Sequence, residues 1–251
     1  KKNLINQTVT DFRKGKRRNI YLFDISVGRM GDYNSWNTSG IYKVYAIDPD
    51  EESIIEAKKR YFKLKQNSNN RTDVDFKVET ITNEKLDIEE INKMYNITSC
   101  QFSIHYFFEN QIMFDNAMRN IVKKLKPGGY FIGTAMDGYK INKLFEKENK
   151  IESEFYSIEK KYDSYTEPFG LRYSFKLKDR QESKLYSFEN DEFLVSKKVL
   201  VQACEHFGLE FVYMKDFEEY TTKENLEDHE KFISYLYFSF VFRKPILHSR
   251  Q

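Results

Sequence analysis

Short apolar runs and amphipathic segments alternate along the first 135 residues of the chain. Continuous apolar runs are typical of buried strands, whereas apolar residues at helical spacing indicate amphipathic helices. We therefore predict strands at residues 20–25, 43–47, 74–78, 97–104 and 130–135, and helices at 1–19, 51–64, 88–95 and 111–125. Such alternation favours a doubly wound α/β fold with a mainly parallel sheet.

The pattern changes after about residue 150. Apolar runs at 155–162, 171–177 and 184–188 follow one another without helices between them, which predicts a β-rich insertion or lid at about residues 150–195. A helix at 196–207 and strands at 209–215 and 235–243 then complete a sheet of seven strands. Because no linker composition interrupts the chain, we predict a single domain over residues 1–251.

The charge balance of the chain restricts the classes of partner. A net charge of +2 with 32% charged residues does not give the bulk positive field of a protein that grips long nucleic acid, although it is compatible with a local basic pocket. The basic segment from Arg13 to Arg18 is able to contact phosphates, but a charge run of this kind is more often solvated surface.

The remaining composition argues against several other classes. Cys100 and Cys204 are too few for a disulfide scaffold and belong to no Cys/His cluster, so we expect no bound metal. No apolar run reaches the length of a membrane span, and the first residues lack the apolar core of a signal peptide. We therefore expect a soluble intracellular protein without membrane contact. Since the chain begins at Lys1 and not at Met, we also expect a domain cut from a longer polypeptide.

A glycine-containing turn follows the first predicted strand. Residues 26–32 (SVGRMGD) place Gly28 and Gly31 before the next helix, where small residues let backbone N–H groups approach a ligand. Asp48 follows the second predicted strand about twenty residues later, a position from which a carboxylate accepts both hydroxyls of a ribose. The alternatives are a tight turn without a ligand and an aspartate that only caps the next helix. The two features together favour a ribose-containing ligand.

An aromatic stretch lies at the end of the fourth predicted strand. Residues 100–110 (CQFSIHYFFEN) combine four aromatic rings with the polar groups of Gln101, His105 and Glu109. Aromatic faces stack on nucleobases with a gain of roughly 1–3 kcal/mol per base, and polar groups read the edge of the ring. The alternative is that the apolar residues are core and His105 is a half-buried imidazole. Because ligands of open α/β sheets bind beyond the carboxyl ends of the strands, we expect the turn, Asp48 and His105 to meet in one crevice.

Specific motifs are spread over nearly the whole chain. Residues 101–109 read QFSIHYFFE, and residues 125–134 read LKPGGYFIGT. Others are DISVGRMGD at 24–32, AKKRY at 57–61, FGLRYSF at 169–175, EFLV at 192–195 and LYFSFVF at 236–242. These motifs resemble those of the mRNA cap guanine-N7 methyltransferase family.

The resemblance implies a class I methyltransferase fold, S-adenosylmethionine as cofactor and capped mRNA as substrate. The insertion at about 150–195 would bind the cap. The side chains and turn residues that the resemblance assigns to the cofactor are Lys1 (with Lys2 as the fallback), Ser26, Gly28, Asp32, Asp48, Gln101 and Tyr106.

The same resemblance assigns residues to the cap. The guanosine would lie against His105 and Tyr106, with Glu192 and Tyr237 reaching it from the second half of the chain. Two basic residues, Arg29 and Arg60, would face the cap phosphates.

No residue of the expected site is assigned as a general acid or base. Guanine N7 carries a free lone pair and no proton, so in-line displacement needs positioning, which His105, Tyr106 and Glu192 would supply. Glu192 would accept from guanine N1 and the exocyclic amine, and its charge would help as positive charge moves onto the purine.

Several residues depart from the family pattern. Ser26 and Met30 replace two glycines of the loop, so we expect its backbone to avoid conformations that only glycine tolerates. The aspartate that holds adenine after the third strand has no obvious counterpart, and Glu79 or Thr80 lies nearest to it. Met136 stands where the family has proline.

The departures leave two other functions open. One is a class I methyltransferase that acts on another RNA or small aromatic substrate. The other is a non-catalytic, methyltransferase-like subunit that stimulates a partner. The abrupt start and the divergent loop suit the methyltransferase domain of a viral capping polypeptide, with other capping domains in the same chain and a place in the host cytoplasm. A cellular enzyme of the family would instead be nuclear.

Overall fold

The computed structural model describes residues 1–15, 18–66, 69–86, 94–178, 190–220 and 226–246. The strands in chain order are β1 (Tyr21–Asp24), β2 (Lys43–Asp48), β3 (Asp73–Val78), β4 (Tyr95–Gln101), β5 (Leu125–Met136), β6 (Lys150–Glu152), β7 (Tyr156–Lys160), β8 (Arg172–Leu177), β9 (Asn190–Phe193), β10 (Glu210–Asp216) and β11 (Tyr237–Arg243). The α-helices are α1 (Lys2–Arg13), α2 (Tyr33–Thr38), α3 (Glu51–Lys65), α4 (Gln111–Lys124), α5 (Gly138–Phe145), α6 (Lys197–His206) and α7 (Asp228–Tyr235). Two 3₁₀ helices span Ile104–Glu109 and Phe217–Tyr220.

The main sheet has seven strands in the order β10-β11-β5-β4-β1-β2-β3. β1, β2, β3, β4 and β5 are parallel, whereas β11 pairs antiparallel with both β5 and β10. The predicted doubly wound, mainly parallel sheet of seven strands is therefore confirmed. Strand order reverses between β1 and β4, and ligands of such sheets bind beyond the carboxyl ends of the strands at that point.

Both faces of the main sheet are covered by helices, which explains the continuous apolar character of its strands. Leu22 of β1 packs in a cluster with residues of α1, α2 and α3, whereas its neighbour Phe23 packs in a second cluster with residues of α4 and α6. Both side chains are fully buried. Because successive side chains of a strand point to opposite faces, a strand between two helical layers is apolar at most of its positions.

A second sheet follows the main one in the chain. Its four strands lie in the order β6-β7-β8-β9 and are all antiparallel. Its apolar side joins the end of β5, α5 and α7 in a third cluster that includes Ile158, Tyr173 and Phe175. This sheet is the β-rich element that the sequence predicts for the second half of the chain.

The junction between the two sheets is tight. The backbone N–H of Gly138 donates to the carbonyl of Val195 at 2.9 Å, and the neighbouring Asp137 forms a parallel bridge with the same residue. A Cβ atom on Gly138 would come within 2.9 Å of the Val195 backbone, so a glycine is required where the two chain segments meet.

Several predicted bounds in the first half of the chain are wrong. The first helix ends at Arg13 and not at residue 19, because Lys14 (φ 45°) and Gly15 (φ 75°) adopt the left-handed conformation that closes helices. The fourth strand starts at Tyr95, which the prediction placed in a helix, and it ends at Gln101 because residues from Ile104 form a 3₁₀ helix. Residues 87–93 of that predicted helix lie outside the described residues.

The second half contains elements that the apolar pattern does not indicate. β6, α5 and α7 were not predicted, and β5 begins at Leu125, five residues before the predicted start at Tyr130. The predicted strand at 184–188 lies outside the described residues, and the strand that pairs with β8 is Asn190–Phe193. Among the helices of the described residues, none has the length and apolar character needed to cross a bilayer.

Candidate active site

The candidate site lies beyond the carboxyl ends of β1, β2 and β4. Asp24 is in register with Ala46 of β2 and Ser99 of β4, so the three strands end at nearly the same level. The turn at 26–32, Asp48 and the segment at 102–109 therefore meet at one edge of the sheet. The turn and Asp48 meet at this edge, whereas His105 lines a cavity that Phe102 separates from the turn, so the expected single crevice is two neighbouring compartments.

The turn at 26–32 is held by hydrogen bonds to β2. Gly28 (φ 51°) donates its N–H to Asp48 Oδ2 at 2.7 Å, and Val27 donates to the carbonyl of Ile47 at 3.0 Å. Met30 has φ 60° and is buried in the cluster that contains α1. The expectation that residues replacing the loop glycines avoid left-handed backbone is wrong for Met30, and packing of its side chain offsets the strain. Ser26 does not have a positive φ.

Asp48 is tied to the turn and does not cap the following helix. Its Oδ1 accepts from Asp50 N–H at 3.0 Å, while the cap of α3 is Asp50, which accepts from Ser53 N–H at 3.0 Å. Burial raises the pKa of Asp48. A carboxylate has about four acceptor positions, so two remain for donors of a ligand.

Two further acids lie at the same turn. Asp24 is 2% exposed and accepts from Ser26 N–H at 3.2 Å; burial, and next the charge of Asp32, raise its pKa to about 8. Asp32 forms an ion pair with Lys1 Nζ at 3.3 Å. The crowding of carboxylates favours a ligand with cationic or hydrogen-bond-donating groups. Lys2, the fallback for Lys1, is exposed on α1.

The end of β4 connects this turn to the aromatic stretch. The hydroxyl of Ser103 contacts the hydroxyl of Ser26 and lies 3.1 Å from the sulfur of Cys100. The side chain of Gln101 stays within the sheet, where it bonds to Ser99 at 3.2 Å and Thr134 at 3.3 Å. Ser103 is a site residue that sequence reasoning missed, although it lies inside the QFSIHYFFE motif.

Phe102 separates the turn from a neighbouring cavity. It has φ 58°, a left-handed conformation that is rare for an aromatic residue, and its N–H is held by Thr134 at 3.1 Å. Lys1 Nζ lies 4.6 Å from its ring centroid, and its ring meets Tyr237 edge to face at 5.0 Å. The Phe102 ring therefore contacts one residue assigned to the cofactor and one assigned to the cap.

The cavity has a volume of about 820 Å³ and is mostly apolar. Four residues predicted to bind one ligand, His105, Tyr106, Glu192 and Tyr237, all line it. The remaining lining residues are Phe102, Phe155, Phe175, Leu177, Lys178, Phe217, His229, Glu230, Ile233 and Ser234. A cavity of this size and character is typical of a small-molecule site.

The polar groups of the cavity centre on Glu192. Tyr173 donates its hydroxyl to Glu192 Oε2 at 2.6 Å, and His105 Nε2 lies 3.9 Å from Oε1. His105 Nε2 is buried and has no hydrogen-bond partner among the described residues. Burial lowers the pKa of His105, although the charge of Glu192 opposes the effect, so the imidazole is neutral at pH 7. Burial also raises the pKa of Tyr237.

Other predicted residues do not reach this cavity. Arg60 Nη1 donates to the carbonyl of Arg29 at 3.1 Å, so the two arginines adjoin the turn, and neither belongs to the described lining of the cavity. Glu109 is exposed. Glu79 accepts from Asn83 at 2.6 Å and from Thr80 N–H at 2.9 Å, within its own loop.

Sequence reasoning did not indicate several of the lining residues. Phe217 belongs to a segment that reads as a charged loop, and His229 and Ile233 belong to α7, which was not predicted. Tyr173 lies in the FGLRYSF motif, but only the pairing of β8 with β9 brings it opposite Glu192. No group of three or more His, Cys, Asp or Glu within the described ranges is placed to hold a metal ion.

The arrangement suits a flat, polar ring. Aromatic walls supply faces for stacking, one carboxylate supplies acceptors, and a neutral imidazole supplies either a donor or an acceptor. The acidic turn lies on the other side of Phe102. A second ligand with donor groups would bind at that turn, separated from the flat ring in the cavity by about the width of one side chain.

Comparison with protein families finds a match over most of the chain. A profile of the mRNA (guanine-N(7))-methyltransferase domain matches residues 1–237. The mRNA cap guanine-N(7) methyltransferases of Drosophila melanogaster and Saccharomyces cerevisiae are 30% and 29% identical to the chain over 242 and 226 residues. These alignments cover 90% and 81% of this chain but 54% and 49% of the relatives. The chain thus spans about half the length of the curated relatives it matches.

Solved structures agree with the fold. An S-adenosylmethionine-dependent methyltransferase from Clostridium acetobutylicum superposes with a TM-score of 0.64 at 14% identity, over 98% of this chain and 92% of that one. The CcbJ methyltransferase from Streptomyces caelestis superposes with a TM-score of 0.65 at 16% identity, over 95% and 94% of the two chains. At such identities the likeness shows the class I methyltransferase fold alone.

Proposed function

The chain belongs to the mRNA (guanine-N7)-methyltransferase family, and from this premise we propose that it transfers a methyl group from S-adenosylmethionine to N7 of the guanine in a GpppN cap. The observation that carries the proposal is the position of Glu192 and neutral His105 in an aromatic cavity next to an acidic turn. The two neighbouring compartments match a methyl donor and a purine acceptor.

The residues of the turn fit the cofactor. Asp48 keeps free acceptor positions for the ribose hydroxyls, and the crowded acids Asp24 and Asp32 favour a cationic ligand. Lys1, which lies at the same place, is suited to pair with a carboxylate of the ligand. S-adenosylmethionine, when bound, supplies an electrophilic methyl group on a cationic sulfur. We assign to its binding Lys1, Ser26, Gly28, Asp32, Asp48, Gln101 and Tyr106.

The cavity side fits the guanine. Glu192 has two oxygens, of which Oε2 already accepts from Tyr173 and Oε1 faces His105, and both keep lone pairs for N–H donors. Guanine presents two adjacent donors at N1 and its exocyclic amine. We propose that Glu192 accepts from both, with Tyr106 and Tyr237 against the ring. Arg29 and Arg60, near the turn, would meet the phosphates.

The residues of the site act by placement and by charge. Guanine N7 has a lone pair and no proton to lose, so no general base is needed, and the lowered pKa of His105 keeps it from adding a second positive charge. Alignment of donor and acceptor is able to supply roughly 7–11 kcal/mol of the barrier. Positive charge reaches the purine as the methyl group moves, and the Glu192 carboxylate stabilises it.

We test the proposal with GpppG-capped RNA and radiolabelled S-adenosylmethionine. After incubation the RNA is digested and the methylated base is identified. Label on guanine N7 is the expected result. Cofactor binding by calorimetry without transfer to the cap would favour another RNA or small aromatic substrate, and absence of cofactor binding would favour a non-catalytic subunit.

The cellular context is a further part of the proposal. We propose that the chain is one domain of a longer capping polypeptide, in which residues 150–195 form the cap-binding insertion. Capped RNA is made and used inside cells, which supports an intracellular, RNA-binding role without membrane contact. A viral source and the host cytoplasm are favoured by the divergent turn, with Ser26 and Met30 in place of glycine; the nucleus is the alternative for a cellular enzyme.

A further inference from the structure

Among the described residues, the hydroxyl of Tyr173 is the closest polar partner of Glu192. The two residues lie directly opposite each other in the antiparallel pair of β8 and β9, and their side chains meet at 2.6 Å. Tyr173 is 1% exposed, and burial followed by the charge of Glu192 raises its pKa well above the ordinary value. The hydroxyl therefore stays protonated at neutral pH and donates to the carboxylate.

The backbone alone holds Glu192 weakly. β9 has four residues and, among the described strands, lies at the edge of the second sheet with β8 as its neighbour. His105 does not restrain the carboxylate, because its Nε2 is 3.9 Å from Oε1, which is beyond hydrogen-bond distance. A glutamate has three rotatable side-chain bonds, so an edge position without a partner would leave its carboxylate in several orientations.

We propose that Tyr173 is a positioning residue that fixes the Glu192 carboxylate in the plane needed to accept two donors of the purine edge, and thereby sets selectivity for guanine over hypoxanthine. Hypoxanthine keeps the N1 donor of guanine but lacks the exocyclic amine. A fixed carboxylate distinguishes the two bases because one of its oxygens loses a partner, whereas a mobile carboxylate turns to satisfy the single donor. The inference rests on the proposed function of the cavity.

Tyr173→Phe tests the inference with little change in shape. We would measure the affinity of the full chain for GpppG and for the inosine counterpart IpppG by calorimetry, and KM and kcat for RNAs with the same two caps. Wild type should prefer the guanine cap by about tenfold or more. In Tyr173→Phe the affinity for GpppG should fall about tenfold, the preference should fall to about twofold, and KM should change more than kcat.

Tyr162→Phe is the matched control. Its hydroxyl bonds to Asn142 at 2.5 Å in the same apolar cluster, so this variant also loses one part-buried hydrogen bond, but it has no contact with Glu192. It should keep the wild-type preference between the two caps. A preference lost equally in both variants would mean that the second sheet is merely loosened, and it would overturn the positioning role.

A double-mutant cycle separates positioning from stability. In a Glu192→Gln background, Tyr173→Phe should change GpppG affinity by less than about twofold, because the carboxylate it positions is gone. The inference is contradicted if the losses of GpppG affinity in Tyr173→Phe and Glu192→Gln are additive, or if Tyr173→Phe alone keeps the wild-type selectivity. S-adenosylhomocysteine affinity serves as the check of folding in each variant. If wild-type protein binds GpppG selectively but transfers no methyl group, the proposed function is refuted. The selectivity measurement then still decides whether Tyr173 positions Glu192.

Discussion

Around the turn at 26–32, three carboxylates crowd together; Asp24 and Asp48 accept from backbone N–H groups and Asp32 pairs with Lys1. In the cavity one carboxylate, Glu192, is held by a side chain of another strand. Asp24 and Asp48 have raised pKa values, chiefly because they are buried and also because other acids lie beside them. Glu192 instead receives a short hydrogen bond from Tyr173. The turn therefore stores electrostatic strain that a cationic ligand relieves, and the cavity is organised before its ligand arrives.

The largest expected effect concerns the cavity, where Tyr173 holds Glu192. Glu192→Gln should lower kcat/KM for capped RNA by about 100-fold, because the amide keeps one acceptor but loses the charge that stabilises the methylated purine. The affinity for S-adenosylmethionine, measured by calorimetry, should stay within about twofold.

The control for this variant lies on the same strand. Asp191→Asn removes a neighbouring acid whose partner is the exposed Arg172, at 3.2 Å on the outer face of the sheet. It should leave kcat/KM within about twofold of wild type. Equal losses of turnover and cofactor affinity in Glu192→Gln would contradict its assignment to the purine.

A smaller effect, on the stability of the protein, is expected at the acidic turn. The folded-state pKa of Asp24, about 8, is above its ordinary value. Between about pH 4 and pH 8 the folded protein therefore keeps a proton on Asp24 that the unfolded protein has already lost. The stability that this bound proton contributes is complete below about pH 4 and is lost as the pH rises through about 8. Asp24→Asn should therefore raise the free energy of unfolding at pH 8 by roughly 2 kcal/mol.

The measurement is urea unfolding at several pH values. The variant should gain little at pH 4 and most at pH 8, because asparagine keeps an acceptor for Ser26 N–H and carries no charge. Saturation with S-adenosylmethionine should reduce the difference between variant and wild type, since a cationic ligand favours the ionised acid. A constant difference at every pH would mean that packing, and not charge, is responsible.

The smallest expected effect distinguishes the acidic turn from the cavity by comparing KM for S-adenosylmethionine with KM for the cap. Asp48→Asn should raise KM for S-adenosylmethionine about tenfold, because the ribose loses charged acceptors, and it should leave KM for the cap within about twofold. Asp50→Asn is the matched control, since asparagine caps helices as well as aspartate and Asp50 caps α3. An increase of both KM values in Asp48→Asn would indicate that the turn, which Asp48 holds through Gly28, has collapsed.

The meeting of the turn with Asp48 was largely predictable from apolar pattern and topology. The cavity residues His105, Tyr106, Glu192 and Tyr237 came only from the motif resemblance, and the contacts among the cavity residues were not predictable. Gly28 and Asp48 lie after apolar strands whose ends must meet in a parallel sheet, so local pattern and topology together place them. The contact of Tyr173 with Glu192 depends on the register of two antiparallel strands nineteen residues apart, which no apolar run specifies. α7 escaped prediction because none of its residues is fully buried, and its polar sequence carries a weak helical pattern.

Local backbone chemistry explains the remaining errors. Lys14 ends α1 in the left-handed conformation usually taken by glycine, within a basic run that otherwise reads as helix. Met30 takes a similar conformation inside the turn because its side chain is anchored in the core. At Met30 tertiary packing overrides the intrinsic preference of the residue. Lys14 is exposed, and its conformation is that of a helix C-cap whose N–H donates to the Thr10 carbonyl.

The hydrogen bond between Gly138 and Val195 has a consequence for how such a molecule evolves. The chain leaves the main sheet and returns to it at two points that touch, so everything between them forms a loop with closed ends. Segments of this kind can be replaced or lengthened with little disturbance to the rest of a fold. Residues 138–195 can therefore diverge in length and sequence while the seven strands of the main sheet are retained.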